Sequence, residues 1–403
     1  MRVLGWLAAA LAICLVVASI AAYLKFRSVW DSIKRVHVTD LGPQPVKFTT
    51  ALNILLVGSD TRAGANRKFG AGVTGQRSDT IIVLHLAPGG RSATVLSLPR
   101  DSAVPVLSCP AEAGTPGQAP RPGQVEQINA TFANGGPGCL WKTVEQTTHV
   151  HIDHFIELNF TGFEHVIDDI GGVNICLPFA INDPLSKLHL SPGRHHVWGA
   201  QALAFWRARY IGEGSDLQRI QRDQFLMASI LQGVERSNLL SSPVKMLSVI
   251  TDAARSMTTD TGLSLSTLTH ILDSLRQMRA KSVQFIELPT VEYKPNPEWV
   301  AWPPSDRLLF SAIAHDRTVP RTTSKTRPTR PEVLAAADSA DADVRGSSES
   351  RLPAGVRPAR HQPGATPSPS GSPQNLIKKY GGITGNANIC HNSQAFAGPR
   401  RGT

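Results

Sequence analysis

Several familiar signatures are missing from this sequence of 403 residues. It contains no G-x-S-x-G nucleophile elbow, no P-loop and no internal repeat, so it shows no sign of an elbow-type nucleophile or of a P-loop nucleotide site. The chain is basic, with a formal net charge of +10 and a pI of about 9.6, yet it has no helix-turn-helix motif. We therefore expect the positive charge to attract anionic lipids or anionic polymers, and we expect no nucleic-acid partner.

Cysteine is scarce, with five residues, and Cys14 lies inside an apolar run. Cys109 and Cys139 are expected to form a disulfide, because they flank a Pro- and Gly-rich insert at residues 110–123 that has little apolar content to order it. Cys176 and Cys390 either pair with each other or remain free. Cys176 is explained equally well as a small buried hydrophobic residue.

The N-terminus contains an uncharged, mostly apolar run at residues 3–24, which is long enough to cross a bilayer. Aromatic and basic residues typical of a membrane interface follow it. A cleaved signal peptide is the alternative, but the apolar core is long for one. We predict a transmembrane anchor at residues 1–25 and a juxtamembrane linker at 26–51.

Four arginines lie close together between Trp206 and Gln224. Guanidinium groups match phosphate oxygens in bidentate geometry, so a cluster of this kind indicates a phosphate or pyrophosphate site. A solvated helix face with acidic salt-bridge partners is the alternative. The four residues are Arg207, Arg209, Arg219 and Arg222.

Acidic residues follow or begin three predicted strands, at residues 53–57, 80–86 and 94–98. The first strand runs into Asp60, the second is preceded by Arg77 and Asp79, and the third is followed by Arg100 and Asp101. Carboxylates beside arginines indicate either structural ion pairs or a Mg²⁺ site that shares phosphate oxygens with a substrate. With the arginine cluster in the same domain, we favour the Mg²⁺ and phosphate site.

Seven sequence blocks follow one another along the chain. They are NILLVGSDTR, RSDTIIVLHL, LSLPRD, QINATFANGGPG, IDHFIELNFTGFEHVIDDIGGVNICLP, GAQALAFWRARY and SDLQRIQRDQ. Their order resembles the LytR-CpsA-Psr family of cell-envelope glycopolymer transferases. The resemblance covers residues 52–234 and weakens towards residue 317, and it implies an α/β fold with a mixed central sheet flanked by helices.

The resemblance implies a membrane-anchored, single-pass protein whose catalytic domain lies outside the cytoplasm. Such an enzyme takes a polyprenyl-pyrophosphate-linked glycopolymer, which is an anionic or secondary cell-wall polymer such as teichoic acid. It transfers the glycosyl phosphate to peptidoglycan and releases polyprenyl phosphate. Two alternatives remain open, namely a polyprenyl-pyrophosphate phosphatase and a non-catalytic polyprenyl-phosphate-binding envelope regulator.

Carried over by motif, the resemblance assigns roles to individual residues. Asp60 and Asp79 would hold Mg²⁺, Asp216 would activate the acceptor hydroxyl, and Lys142 would be a further phosphate contact. Asp223 stands where many relatives have glutamine, which is a departure from the family pattern. The pyrophosphate would be bound by Arg77, Arg100, Arg207, Arg209, Arg219 and Arg222, with Arg100 and Arg209 also counted as catalytic.

A zinc site is the less favoured interpretation of His149, His151 and His154, because the segment is predicted as a strand whose neighbouring residues alternate between faces. The segment 161–164 has the pattern of a capping box that opens a helix ending at Gly171 and Gly172. We expect a long apolar groove for the lipid between the sheet and helices such as 163–170 and 225–231.

Three domains or segments are predicted beyond the N-terminus. Residues 52–317 form the catalytic α/β domain. Residues 318–378 are rich in Pro, Ser and Arg and have almost no aromatic residues, so we expect a disordered linker. Residues 379–403 form a C-terminal tail of unknown role.

Overall fold

The computed structural model describes residues 2–38, 41–60, 66, 78–109, 123–177, 180–208, 216–237, 239, 242–317 and 382–384. Within these ranges only the backbone is described for residues 216–221 and 243–247, for the two end residues of the last segment and for parts of the first helix. Arg77, Arg209 and Cys390 lie outside the described residues, as do the predicted linker 318–378 and most of the predicted tail.

A mixed eight-stranded sheet forms the centre of the protein, as predicted. Its strands are β1 (Lys34–Val36), β2 (Leu52–Ser59), β3 (Ser78–Leu86), β4 (Ala93–Leu98), β7 (His154–Asn159), β12 (Met257–Asp260), β13 (Val283–Glu287) and β16 (Gly382–Thr384). Their order in the sheet is β1-β12-β7-β2-β3-β4-β13-β16. Neighbours pair in parallel at β1–β12, β2–β7 and β4–β13, and in antiparallel fashion at β12–β7, β2–β3, β3–β4 and β13–β16.

The central strands are buried on both faces because apolar residues occupy both sets of alternating positions. Leu55 and Val83 pack on the face covered by α2 (Ile128–Thr148) and α8 (Asp306–Ala314). Ile54 and Ile82 pack on the opposite face, which is covered by α5 (Asp216–Arg236) and α7 (Leu265–Gln277). The sheet is therefore a rigid platform between two helical layers.

A second hydrophobic cluster lies beside this platform and is built around α3 (Phe160–Asp169) and α4 (Gly199–Arg207). It includes two antiparallel pairs, β8 (Val173–Leu177) with β11 (Gly193–Val197), and β9 (Ile181–Asp183) with β10 (Leu188–Leu190). Gly171 and Gly172 end the helical turn with φ values of 85° and 77°, which glycine adopts without strain. The helix therefore ends where the sequence predicted.

The start of α3 differs from the sequence prediction. The cap is Asn159, whose Oδ1 accepts a hydrogen bond from the Gly162 amide over 3.0 Å. Thr161, the first residue of the predicted capping box, lies inside the helix and donates its hydroxyl to Asn66 Oδ1 over 2.7 Å. Asn159, and not Thr161, therefore caps the helix, so the capping-box prediction was wrong.

Two short hairpins complete the described part of the domain. They are β5 (Ala103–Pro105) with β6 (Val125–Gln127), and β14 (Val291–Glu292) with β15 (Val300–Ala301). The predicted disulfide between Cys109 and Cys139 is present, with Cα atoms 5.5 Å apart, and it joins the segment after β5 to α2. Cys176 is also disulfide-bonded, which excludes the free form of that residue.

The N-terminal segment forms helix α1 (Arg2–Ser32), and α6 (Pro243–Ser256) packs against the last turn of α1. Within the part of the chain that the structure describes, no helix meets the length and hydropathy needed to span a bilayer, so the predicted transmembrane span is not confirmed. Residues 34–36, predicted as linker, form the edge strand β1.

The three histidines occupy different structural positions. His149 ends α2 in the left-handed conformation with φ 57°, so β7 begins only at His154, later than the sequence pattern predicted. His151 Nδ1 lies 3.2 Å from the Pro45 carbonyl, and His154 Nδ1 lies 3.2 Å from Asp260 Oδ2. The His151 and His154 rings therefore have separate partners, each distant in sequence.

Candidate active site

The site forms where β2, β3 and β4 end. In the antiparallel register of β2 and β3, Ser59 is opposite Ser78, with an irregularity between Gly58 and Ser59. Asp60 directly follows β2, and Asp79 is the second residue of β3. Both are therefore at the same end of this strand pair. β4 runs antiparallel to β3 and leads into Arg100 at that end.

Arg100 is positioned by two carboxylates. Its Nη1 donates to Asp79 Oδ1 over 2.8 Å, and its Nε lies 3.4 Å from Asp101 Oδ2. Asp101 is itself oriented by Gln127, whose amide donates to Oδ1 over 2.8 Å. All three charged side chains are about one-quarter exposed, so the guanidinium is held in place and still reaches solvent.

The ends of β2, β3 and β4 form one wall of the site, and β7 and α3 form the second wall. β7 is parallel to β2 and places Asn159 opposite Ser59, so α3 begins directly beside the strand ends. α4 then packs on α3 at very short range, because a Cβ atom built on Gly199 would lie 2.2 Å from the Glu164 carbonyl oxygen. The Asp168 carboxylate caps α4 by accepting from the Gly199 amide over 2.7 Å.

This packing brings the end of α4 to the site. Arg207 is the last residue of the helix, and its guanidinium carbon lies 5.0 Å from the ring centroid of Phe160, within cation–π range. The Trp206 and Phe163 rings are 4.5 Å apart and tilted by 52°. The Phe160 ring therefore packs against the arginine, and a second aromatic pair lies on the same two helices.

A pocket runs between these two walls. Its space, including the part that is open to solvent, is about 320 Å³, and Asp79 and Arg207 are both among the residues that line it. The rest of its lining is mostly apolar. The lining residues are Gly58, Asp79, Thr80, Leu158, Asn159, Phe160, Phe163, Trp206 and Arg207.

Seven of these nine lining residues were not predicted as individual site residues. The four with large apolar side chains are Leu158, Phe160, Phe163 and Trp206. They lie in the blocks that carry the family resemblance, but apolar residues at helical spacing are also typical of an ordinary core. Phe163 begins one of the two helical segments expected to line a lipid groove. None of the residues at 225–231, the other segment, lines the described pocket.

The predicted site residues on α5 lie in different environments. Arg222 is buried, with 3% of its surface exposed, and its Nη2 donates to the Ala208 carbonyl over 3.3 Å. It therefore ties α5 to the segment that follows Arg207. Asp216 and Arg219 belong to the first turns of α5, where only the backbone is described, and Asp223 is half-buried on the same helix.

Lys142 lies on α2 beside the disulfide. Its Nζ donates to the Ser108 carbonyl over 2.8 Å, one residue before Cys109. It is not among the described residues that line the pocket. A contact with the segment before the insert is therefore the role that its geometry supports.

The fold and the arrangement of acidic and basic residues at the strand ends agree with a comparison to known families. The sequence model of the LytR_cpsA_psr family matches residues 23–308, which is most of the chain. The chain belongs to the LytR_cpsA_psr family.

Curated members of the LytR_cpsA_psr family align over much of this chain. The probable cell wall biosynthesis protein LcpB of Corynebacterium glutamicum is 32% identical over 265 residues, covering 64% of this chain and 59% of LcpB. TagU of Bacillus cereus, named a polyisoprenyl-teichoic acid–peptidoglycan teichoic acid transferase, is 29% identical over 249 residues, covering 60% of this chain and 74% of TagU. The chain thus spans little more than half the length of LcpB.

A solved structure of the same family shares the fold. The LytR-Csp2A-Psr enzyme from Actinomyces oris superposes with a TM-score of 0.54 at 21% identity, covering 70% of this chain and 96% of that enzyme. The mixed α/β architecture is therefore that of the LytR_cpsA_psr family.

Proposed function

We propose that this protein is a phosphotransferase that attaches a polyprenyl-pyrophosphate-linked cell-wall glycopolymer to peptidoglycan and releases polyprenyl phosphate. The observation that carries the proposal is the pocket in which Asp79 and Arg207 share one cavity with an apolar wall. A substrate suited to this cavity has a charged head beside a hydrocarbon chain. The relative TagU, which is named as a transferase of polyisoprenyl-linked teichoic acid to peptidoglycan, supports this substrate class.

The apolar wall suits the lipid part of such a substrate. Leu158, Phe160, Phe163 and Trp206 present side chains without formal charge along one side of the pocket. Burying a polyprenyl chain there would gain about 25 cal/mol for each Å² of apolar surface removed from water. The apolar lining of the pocket therefore supports a lipid-linked donor.

Guanidinium groups would bind the pyrophosphate. Arg207 lies in the pocket, and Arg100 is held beside it through Asp79. Their planar forks match phosphate oxygens and stabilise the negative charge that develops during phosphoryl transfer. The same role is proposed for Arg77, Arg209 and Arg219. Arg222 and Lys142, which donate to the Ala208 and Ser108 carbonyls, are proposed to support the site from its periphery.

The donor set at the strand ends fits Mg²⁺. Asp60 and Asp79 supply carboxylate oxygens at one end of the β2–β3 pair, and Mg²⁺ binds through one or two carboxylates together with water and phosphate oxygens. The described residues contain no group of three or more His, Cys, Asp or Glu side chains arranged to hold a metal. A bound Mg²⁺ would neutralise pyrophosphate charge, and Asp60 and Asp79 are the residues that would hold it.

The proposed reaction is an in-line displacement at phosphorus. A peptidoglycan hydroxyl oxygen forms a new bond to the glycan-side phosphorus, and the bond from that phosphorus to the bridging oxygen breaks. Polyprenyl phosphate leaves with the bridging oxygen, while the glycan stays attached through a phosphodiester. Asp216 is proposed to accept the hydroxyl proton, and Arg100 and Arg209 are proposed to stabilise the transferring group.

An extracytoplasmic location is supported by the cysteines. Cys109 and Cys139 are bonded to each other, and Cys176 is also in a disulfide. Disulfides persist in oxidising compartments and are rare where thiols are kept reduced. We therefore place the catalytic domain on the outer side of the cell membrane, where its lipid-linked donor and peptidoglycan meet.

The test follows the fate of a label. The full chain in detergent is mixed with a donor radiolabelled in its glycan, uncrosslinked peptidoglycan and Mg²⁺. The proposal expects label in peptidoglycan that is lost on chelation and lost in Asp79→Asn. The matched control is Asp273→Asn, an exposed carboxylate on α7 that should leave transfer unchanged. Free glycosyl phosphate would instead identify a phosphatase, and intact donor retained by the protein would identify a lipid-binding regulator.

A further inference from the structure

The β14–β15 hairpin carries an aromatic pair that the proposed reaction does not use. Tyr293 and Trp299 flank its loop, with ring centroids 5.9 Å apart and planes only 15° from parallel. Both residues are half-buried, so part of each remains exposed to solvent. Trp302, three residues further on, behaves differently, because it packs against the main core and donates its indole N–H to Ser102 Oγ over 2.8 Å.

The loop that presents this pair is locally ordered. The Tyr293 amide donates to the Trp299 carbonyl over 3.2 Å, and the Asn296 amide donates back to the Tyr293 carbonyl over 2.9 Å. Pro295 and Pro297 fix two further backbone angles. A hairpin with only two residues in each strand has marginal stability by itself. The stacked rings and the prolines therefore stabilise its shape. The rings are thus held in place before any ligand arrives.

The hairpin is attached directly to the phosphate-binding strand end. The Val300 amide donates to the Asp101 carbonyl over 3.1 Å, and Val300 forms a parallel bridge with Ser102. Asp101 in turn contacts Arg100 through its carboxylate. Trp299 therefore directly precedes the residue that pairs with the backbone of Asp101, and Asp101 directly follows Arg100, whose guanidinium is proposed to bind pyrophosphate.

We propose that Tyr293 and Trp299 form a glycan subsite that binds a pyranose ring beside the pyrophosphate site. Sugar C–H groups carry partial positive charge and prefer the electron-rich face of an aromatic ring, and Trp and Tyr give large rigid contact areas with little loss of conformational entropy. Exposed Lys294 and Glu298 at the loop offer hydrogen bonds to hydroxyl groups. The inference rests on the proposed function, because that function brings a glycan to within a few ångströms of Arg100.

Two sources would present this chemistry, namely the glycan of the lipid-linked donor and the glycan strand of peptidoglycan. Calorimetric titration of the full chain distinguishes them with three probes. The first is a soluble uncrosslinked peptidoglycan tetrasaccharide, the second is a short-chain polyprenyl-pyrophosphate disaccharide, and the third is inorganic pyrophosphate, which carries no sugar. Each probe is titrated into the unaltered protein and into Trp299→Ala, Tyr293→Ala and Trp299→Phe.

We expect Trp299→Ala to weaken the binding of one sugar-containing probe by about tenfold or more, as for a truncated aromatic anchor. Trp299→Phe should retain most of that affinity, and inorganic pyrophosphate should bind all variants equally. The probe that loses affinity identifies the source of the glycan. Trp198→Ala, which removes an exposed tryptophan elsewhere, is the matched control and should change nothing.

The inference is overturned if both alanine variants, folded by circular dichroism, bind both glycan probes as tightly as the unaltered protein, or if the unaltered protein binds neither probe. Failure of the proposed function has a different signature, since inorganic pyrophosphate would then not bind and no label would reach peptidoglycan. A glycan affinity that depends on Trp299 in a protein without transfer activity would leave the subsite standing and remove the reaction.

Discussion

Arg100 donates from Nη1 to Asp79 Oδ1 over 2.8 Å, so the residue proposed to bind pyrophosphate is paired with a residue proposed to hold Mg²⁺. Each charge partly neutralises the other before a substrate enters. A pyrophosphate bound with Mg²⁺ would supply both charges with new partners in one step. The pair is therefore expected to be more important for binding the charged head group than for holding the fold.

Asp79→Asn tests this relationship directly. Transfer should fall by about 100-fold or more, because one electrostatic contact to the transferring group is removed. The free energy of unfolding should change by no more than about 1 kcal/mol, because partly exposed ion pairs contribute little. Radiolabel transfer and urea unfolding measure the two quantities. A large loss of stability with unchanged specific activity would show that the pair is structural.

Arg207→Lys keeps the positive charge and removes the planar fork. We expect transfer to fall by roughly 10- to 100-fold, since lysine cannot bind two phosphate oxygens in the same geometry. Arg276→Lys, in the last turn of α7 and exposed, is the matched control. Equal activity in the two variants would remove Arg207 from the site.

Gly58 lines the pocket beside Thr80 and Trp206. A Cβ atom built there would lie 3.3 Å from Thr80 Cβ and 3.5 Å from the Trp206 ring. Gly58→Ala should therefore be nearly normal, with neighbours shifting by a few tenths of an ångström. Gly58→Leu should fill the space between Thr80 and Trp206 and raise the KM for the donor while the acceptor KM is unchanged. Equal rises in both KM values would contradict a pocket for the donor alone.

Glu145 gives a prediction on pH. Its side chain is 1% exposed, and burial raises the pKa of its carboxyl above the ordinary value of 4.5, although the Ile152 amide and Gln44 donate hydrogen bonds to it. As the pH rises above about 4.5, the unfolded chain releases this proton before the folded protein does. This contribution to stability is therefore complete at low pH and is lost as the pH rises through the folded-state pKa.

Glu145→Gln should remove that loss, so the difference in free energy of unfolding between variant and unaltered protein should grow with pH and then level off. Urea unfolding at intervals from pH 4 to pH 8 measures it. Glu298→Gln, at an exposed position, corrects for the general loss of one carboxylate. A difference that does not vary with pH would contradict the assignment.

The disulfide between Cys109 and Cys139 closes a loop with a sequence separation of 30. On the chain-entropy model, a loop of this length stabilises the folded state by about 3–4 kcal/mol. The double variant Cys109→Ser with Cys139→Ser should therefore have a lower Tm, and thiol titration of the denatured unaltered protein should find both residues unreactive before reduction. Cys14→Ser, which removes a free cysteine, should leave the Tm unchanged.

Strands were the easiest elements to predict, because their apolar residues are local and continuous. The segment 80–86 was predicted to within two residues of β3, and residues 94–98 to within one residue of β4. The start of α3 was missed for a physical reason. Thr161 has a capping hydroxyl in the right sequence position, but Asn66, 95 residues away, takes its hydrogen bond.

The site was predictable as a set of residue types at strand ends, and less predictable as a set of side-chain orientations. Arg219 and Arg222 are three residues apart, a spacing that predicts one face of a helix. It did not indicate that Arg222 would be buried against the Ala208 carbonyl. It also gave no signal that Lys142 would turn towards Ser108, because that contact depends on how the disulfide-linked segment folds back.

Helix α1 ends at Ser32 and the edge strand β1 begins at Lys34, so Ile33 alone joins them, and Val29 and Ile33 are buried near α6. Strand β1 then pairs in parallel with β12, which belongs to the same sheet as the strands that carry the site. Because the connection is a single buried residue, α1 and the sheet keep a fixed relative orientation. The orientation of α1 therefore also determines the orientation of the pocket at the strand ends.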